Sequence, residues 1–286
     1  MNHEPPAVEN IRETIRREWQ EAAPLWKKWY MKLAIQSRAA TELVLQGADL
    51  APNLKVLDLA CGSGEPALSV ATSVEPDGHV VATDMVPEML QAARENAESN
   101  GQSNIEFKVA DAERLPFRER EFDRITCRFG FMFFPDAQKS LSEQRRVLKP
   151  GGRISYVVWG RAEENPLFSV MLGPFLKHVS VPQPPPDAPG VFRYADQRKL
   201  ADTIRAGGFR DVQTQKVTVK WPWPGPPQEA WEATREIAAP FKKMIAALPP
   251  EKTDQVIAEV IEGITRYYDG KNVNFPATLI AAQAIA

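Results

Sequence analysis

The sequence has few of the residues that build metal centres and disulfide frameworks. Its 286 residues include only 2 cysteines and 3 histidines. Cys61 and Cys127 both lie inside apolar runs, and neither stands at metal-ligand spacing from other cysteines or histidines. We therefore expect no metal and no disulfide framework, and the cysteine usage fits a reducing compartment such as the cytoplasm.

Long apolar runs and an excess of one charge are also missing. No uninterrupted apolar stretch reaches the roughly 18 residues that a membrane span needs, and residues 1–10 are too polar for a secretory signal peptide. The 35 basic and 37 acidic residues give a net charge of −2. This balance creates no strong global field that would attract nucleic acid, although it leaves a local basic patch open, and we expect no nucleic-acid partner. The oligomeric state does not follow from the sequence.

The most informative segment is KVLDLACGSG at residues 55–64. A short apolar run ends there in a glycine turn, a helix-compatible stretch follows, and a second apolar run over residues 80–83 leads to Asp84. This order of strand, turn, helix, strand and acid is typical of a nucleoside-binding βαβ unit. Gly62 and Gly64 let the backbone turn tightly and approach a ligand closely. The Asp84 carboxylate can accept hydrogen bonds from both hydroxyls of a ribose.

Strands and helices alternate through the centre of the chain, which predicts an α/β fold with a parallel sheet and helices on both faces. We predict strands at residues 55–60, 79–84, 105–110, 122–127, 153–159, 211–219 and 276–286. We predict helices at residues 8–46, 66–73, 87–100, 136–148, 166–178, 196–206, 228–247 and 251–269. Gly47 and Pro52 are expected to end the first helix, residues 149–152 to form a turn, and residues 221–227 to form a stiff proline-rich break.

Three segments are predicted along the chain. Residues 1–46 form an N-terminal helical flap, residues 47–160 form the Rossmann-like core, and residues 161–286 complete the sheet. The last segment carries proline-rich or helical insertions on the substrate side, at residues 161–195 and 222–270.

The flap is rich in aromatic side chains: Trp19, Trp26, Trp29 and Tyr30. Packing against the core explains them first, and a flap that lines a ligand pocket is the alternative.

Five segments in order resemble the class I S-adenosylmethionine-dependent methyltransferases, closest to the small-molecule branch typified by the ubiquinone and menaquinone methyltransferases. They are VLDLACGSG at 56–64, VATDM at 81–85, DAERLPF at 111–117, FD at 122–123 and RVLKPGG at 146–152. The resemblance is strong over about residues 50–160. It implies a seven-stranded, mostly parallel Rossmann-like sheet with an antiparallel last strand and a helical lid. It also implies S-adenosylmethionine as cofactor, S-adenosylhomocysteine as product and no metal.

The same resemblance implies roles for individual residues. Asp58 lies near the methionine amino group, Asp84 takes the ribose hydroxyls, and Met85 packs on the adenine face. Asp111 accepts from the exocyclic amine of adenine, and the backbone of Arg128 touches the cofactor. The full implied set is Asp58, Ala60, Gly62, Ser63, Gly64, Asp84, Met85, Asp111, Ala112 and Arg128.

The implied activity is methyl transfer to an oxygen or carbon of a small aromatic or hydrophobic acceptor. Residues 128–132 read RFGFM, an apolar and aromatic stretch that suits a flat or greasy acceptor. It stands where methyltransferases of amide and nucleobase nitrogens carry an Asn/Asp-Pro-Pro-Tyr/Phe motif. The sequence names no general base; the candidates are His178, Tyr156 and Arg161.

Two other functions stay open. GSGEPA at residues 62–67 also satisfies the glycine pattern of an NAD(P)-dependent oxidoreductase. Against that function, the Glu65 carboxylate at the start of a helix would repel a pyrophosphate. The other alternative is a non-catalytic protein that binds S-adenosylmethionine.

Overall fold

The structure is a computed structural model that describes residues 6–181, 185 and 187–286. Over these residues the chain forms a seven-stranded sheet of order β3-β2-β1-β4-β5-β7-β6. The strands are β1 Lys55–Leu59, β2 His79–Asp84, β3 Ile105–Val109, β4 Phe122–Arg128, β5 Leu148–Trp159, β6 Arg210–Trp223 and β7 Val273–Ile285. Strands β1 to β5 pair in parallel, whereas β7 runs antiparallel to both β5 and β6. The predicted fold class is therefore confirmed.

Ten α-helices cover the described part of the chain. They are α1 Pro6–Gln36, α2 Arg38–Ala48, α3 Ala67–Ser73, α4 Pro87–Ser99, α5 Ala137–Val147, α6 Pro166–Leu176, α7 Gln197–Ala206, α8 Pro227–Ile237, α9 Ala239–Ala247 and α10 Thr253–Thr265. Proline stands in the first turn of α4, α6 and α8, where its missing N–H costs nothing. None of these helices is long and apolar enough to cross a membrane.

The predicted single helix at residues 8–46 is wrong, because the chain forms two helices that meet at Ser37. The Ser37 hydroxyl donates to the Leu33 carbonyl at 2.7 Å. Gly47 does not end the segment, since it lies inside α2 where that helix crosses β5. A Cβ atom at Gly47 would lie 2.5 Å from the Ser155 hydroxyl, so the close approach needs a glycine.

Three further predictions need correction. Strand β6 continues through Trp221 and Pro222, and its edge position tolerates a proline because no ladder hydrogen bond is lost there. The predicted helix 228–247 is divided at Ala238 into α8 and α9. Residues 149–152 lie within β5, whose register against β4 shifts at this point, and Gly151 has a φ of 78°.

The proposed three-segment division of the chain stays a prediction. Pro182, Pro184 and Pro186 of the predicted insertion, and residues 1–5 of the predicted flap, lie outside the described residues. Helix α1 packs on α4, α8 and strand β6, and α2 packs on β4, β5 and β7. The carboxyl ends of β1 to β4 therefore meet at one edge of the sheet, beside α1.

Candidate functional site

A cavity of about 1020 Å³, including its open mouth, lies between α1 and the carboxyl ends of β1 to β4. Ligands of open α/β sheets bind at this edge, because the strand order reverses there. The cavity wall includes eight of the ten predicted cofactor residues: Ala60, Gly62, Ser63, Asp84, Met85, Asp111, Ala112 and Arg128. The other two, Asp58 and Gly64, lie behind the wall.

The β1–α3 turn forms the floor of the cavity. Gly62 and Gly64 adopt φ values of 54° and 127°. A Cβ atom at Gly64 would lie 2.4 Å from a methyl carbon of Leu68, whereas one at Gly62 would meet nothing within 4 Å. Gly64 is thus needed for α3 to start close to the turn. Gly62 leaves open space beside the Asp84 carboxylate.

Asp84 ends β2 with both carboxylate oxygens held by the backbone. One oxygen accepts from the Gly62 N–H at 3.0 Å, and the other accepts from the Val86 N–H at 2.9 Å. Burial raises the pKa of the Asp84 carboxyl to about 6, although these two hydrogen bonds favour its ionised form. The carboxylate is therefore fixed in place before any ligand arrives.

Asp58 lies in β1 directly behind the turn and is completely buried. The Thr126 hydroxyl donates to its Oδ1 at 2.5 Å. Its Oδ2 is one of the few buried side-chain oxygens in the described residues that have no hydrogen-bond partner. Burial raises the pKa of the Asp58 carboxyl to about 8. A cation placed near this oxygen would favour the ionised form.

Two arginines, whose side-chain roles the sequence did not reveal, connect the N-terminal helices to the cavity. Arg128 donates to the hydroxyls of Ser37 and Thr41, both at 2.7 Å, and to the Glu65 carbonyl at 3.0 Å. Its side chain thus joins the α1–α2 junction to the cavity floor, and burial lowers the pKa of the guanidinium. Arg12 of α1 lines the cavity and lies 3.0 Å from Asp111.

One side of the cavity is apolar, and we name it the acceptor wall. Its residues are Ile15, Trp19, Trp26, Phe133 and Phe134. The ring of Trp19 packs edge-on against Trp26 and Phe133, with centroid separations of 5.7 and 5.5 Å. The aromatic side chains of the flap therefore divide between the two predicted roles, lining a pocket and packing against the core. Trp19 and Trp26 line the cavity, whereas Trp29 packs on Trp223 and donates to Glu236.

None of the three candidate bases lies at the cavity. Tyr156 is fully buried, stacks on Phe131 and donates its hydroxyl to Gln144. Arg161 is exposed and pairs with Asp196 at 3.1 Å, and His178 is exposed beyond the end of α6. The described residues of the predicted insertions, 161–195 and 222–270, likewise contribute nothing to the cavity wall.

Thiol and metal chemistry find no support in the described residues. Burial raises the pKa of both cysteine thiols, so neither supplies a thiolate nucleophile. No group of three or more histidine, cysteine, aspartate or glutamate side chains within this part of the chain could hold a metal ion.

Comparisons with known proteins point to one family. The sequence model of the ubiE/COQ5 methyltransferase family matches residues 21–183. The ubiquinone/menaquinone biosynthesis C-methyltransferase UbiE of Bordetella avium is 34% identical over 180 residues, which cover 60% of this chain and 70% of that protein. A demethylmenaquinone methyltransferase of Thermus thermophilus is 43% identical over 117 residues, 41% of this chain and 50% of the relative. A crystal structure of a putative methyltransferase from Bacillus halodurans superposes with a TM-score of 0.53 at 25% identity, covering 86% of this chain and 97% of that one.

Proposed function

Because the chain belongs to the ubiE/COQ5 methyltransferase family, it is an S-adenosylmethionine-dependent methyltransferase, and we propose that it methylates a carbon or oxygen of a flat, quinone-like acceptor. The observation that supports this acceptor is the acceptor wall. It lines the same cavity as the polar strand tips. Flat apolar rings are recognised by such aromatic surfaces, which contribute through buried area and edge-to-face contacts.

The residues at the strand tips fit the cofactor. Asp84 is placed to accept from the two ribose hydroxyls, and the open space at Gly62 admits the close approach of a sugar. The Oδ2 atom of Asp58 has no hydrogen-bond partner among the described residues, and from behind the turn its charge would favour a methionine ammonium at the cavity floor. Met85 and Ala112 line the cavity where the adenine would lie. When bound, the cofactor supplies a methyl group already activated on a sulfonium.

The protein's own contribution is to position the acceptor and exclude water. Helix α1 covers the strand tips, and the acceptor wall holds a ring against them. Alignment of this kind can supply roughly 7–11 kcal/mol of the barrier in favourable cases. An acidic phenol or quinol loses its proton without a dedicated base. A site whose described wall contains no histidine and no tyrosine is therefore adequate for such an acceptor.

Family membership decides against the NAD(P)-dependent oxidoreductase. The structure offers a physical reason, since the Glu65 side chain lines the cavity at the entry to α3, where a pyrophosphate would need positive charge. Family membership likewise decides against a non-catalytic protein that binds S-adenosylmethionine.

The test is a transfer assay with S-adenosylmethionine labelled on its methyl group. We expect label in a naphthohydroquinone with a short isoprenoid chain and in simple catechols, but not in aliphatic amines or carboxylates. Mass spectrometry of the product identifies the methylated atom. Binding of S-adenosylhomocysteine without transfer to any phenol or quinol would contradict the proposed acceptor class.

A further inference from the structure

Arg12 joins the first half of α1 to the loop after β3. Its side chain is only 7% exposed although it belongs to a long surface helix. The guanidinium contacts Asp111, with Nε 3.0 Å from Oδ2, and it also contacts Glu113 and Glu9. Asp111 and Glu113 are about a hundred positions away in the sequence, so this is a tertiary contact.

The carboxylates of Asp111 and Glu113, which contact Arg12, are held in place by backbone N–H groups. Glu113 is 1% exposed and accepts from the Asp136 N–H at 2.7 Å. Asp111 accepts from the Glu113 N–H at 2.9 Å. Loss of Arg12 would leave Glu113 buried without its cationic partner, which is strongly unfavourable.

The other polar contacts that residues 13–27 of α1 make with described residues of other elements lie at the surface. Gln20 donates to Glu88 at 2.7 Å, Lys27 lies 2.5 Å from Glu95, and Glu18 accepts from Lys243 at 3.1 Å. Exposed pairs of this kind stabilise a structure little. The buried Arg12 contact therefore dominates the polar attachment of the helix segment that carries Ile15 and Trp19 of the acceptor wall.

Asp111 also faces the cavity, one strand away from Asp84. Neighbouring strands are about 4.8 Å apart, so a nucleoside whose sugar lies at Asp84 reaches Asp111 with its base. A carboxylate has about four acceptor positions. Asp111 can therefore receive an amino group of the base while it keeps Arg12.

We propose that Arg12 is a positioning residue that couples occupancy of the adenine end of the site to the docking of α1, and hence to the completeness of the acceptor wall. The inference rests on the proposed function for the identity of both ligands. By linkage, a base that strengthens the Asp111–Arg12 arrangement also binds more tightly when α1 is docked. The cofactor thus prepares the site for the acceptor.

The test compares S-adenosylhomocysteine with S-inosylhomocysteine, in which an oxygen replaces the 6-amino group. Hydrogen exchange is followed in the α1 segment at residues 10–22, with both ligands at saturation. We expect the adenine compound to slow exchange about tenfold, in line with couplings of 5–150-fold between linked sites, and the inosine compound to have little effect. Equal protection by both compounds would overturn the inference.

The variant Arg12→Gln should lose this protection, and Arg16→Gln is the matched control. Arg16 lies one turn further along α1, is half-buried, and pairs with Glu13 and Gln20 of its own helix. Its substitution should leave the protection intact. If Arg12→Gln kept full protection, Arg12 would have no coupling role.

Steady-state kinetics distinguish a positioning role of Arg12 from a merely structural one. Arg12→Gln should raise the KM of the quinol acceptor about tenfold with a smaller change in kcat, because an incompletely docked wall binds the acceptor weakly. Arg12→Lys should recover part of the loss since it keeps the charge. If Arg12→Gln fails to fold, the coupling role of Arg12 is tested by comparing the protection that the two ligands give in the wild type and in Arg12→Lys. Wild-type protection without any methyl transfer would refute the proposed function and leave the coupling standing.

Discussion

Asp84 is the residue on which cofactor affinity depends most directly. Its carboxylate is held by the N–H groups of Gly62 and Val86, so it needs no rearrangement to receive a diol. We expect Asp84→Asn to raise the dissociation constant of S-adenosylhomocysteine by about one to two decades, because charge-assisted hydrogen bonds are lost. Titration calorimetry measures this change. Glu88→Gln, an exposed substitution on α4, is the control. An unchanged dissociation constant in Asp84→Asn would show that the ribose does not bind at Asp84.

The same carboxyl predicts a pH dependence. Burial raises its pKa to about 6 in the free protein, so the group is largely protonated below that pH. Ribose hydroxyls donate hydrogen bonds to the ionised carboxylate. The affinity for S-adenosylhomocysteine should therefore rise as the pH is raised through about 6, and below pH 6 it should fall by up to about tenfold for each pH unit. Calorimetry between about pH 5 and 6.5 tests the sign. Asp84→Asn should weaken this dependence, and the slope that persists in the variant would belong to another buried carboxyl such as Asp58, whose pKa burial raises to about 8. An unchanged slope in the variant would contradict the role of Asp84.

Several site residues were predictable because the chemistry of a strand tip is local. A glycine turn after an apolar run, followed by an acid at the next tip, places Gly62 and Asp84 without knowledge of the rest of the chain. Tyr156 was a poor candidate base for an equally simple reason. It points into the packing beneath the sheet, where Gln144 receives its hydroxyl. Which face of a central strand is buried is not apparent when both of its faces are apolar.

At the scale of the elements, the misplaced boundaries are those that distant partners decide. Gly47 resembles a helix terminus, yet it continues α2 because β5 approaches there. Pro222 resembles a break, yet it pairs with Asn274 of β7. Arg12 was beyond reach as a site residue, and the sequence could not decide which aromatic side chains of the flap line the cavity. The reason is that the position of α1 over the strand tips depends on contacts that span about a hundred residues. Periodicity within α1 shows an apolar face but not what covers it.

The junction between β4 and the following turn gives a prediction about packing. A Cβ atom at Gly130 would lie 2.6 Å from Ala60 Cβ and 2.8 Å from Cys127 Sγ, between the cavity floor and the end of β4. We expect Gly130→Ala to lower the free energy of unfolding by about 1–3 kcal/mol through overpacking. Urea denaturation measures it. Gly173→Ala in α6, where a Cβ atom meets nothing within 4 Å, should be neutral or stabilising by less than about 1 kcal/mol. Equal stability of both variants would show that the junction relaxes freely.

For the whole molecule, a ligand that binds only the folded chain must stabilise it. S-adenosylhomocysteine at about 100 times its dissociation constant should add about 2.7 kcal/mol to the free energy of unfolding. Thermal or urea unfolding with and without the ligand measures the shift. NAD at the same concentration should produce none. Stabilisation by NAD with no effect of S-adenosylhomocysteine would contradict the assignment of the cavity.

The insertion of β7 between β5 and β6 has a consequence for how the molecule assembles. While the ribosome is still synthesising residues 273–285, the long β6 has no neighbour to pair with, and β5 exposes an edge. The five parallel strands can therefore pair early, but β6 waits for β7, the last of the seven strands to be translated. A nascent chain stalled before this strand would present two unpaired edges, which is the state in which aggregation and recognition by chaperones are expected.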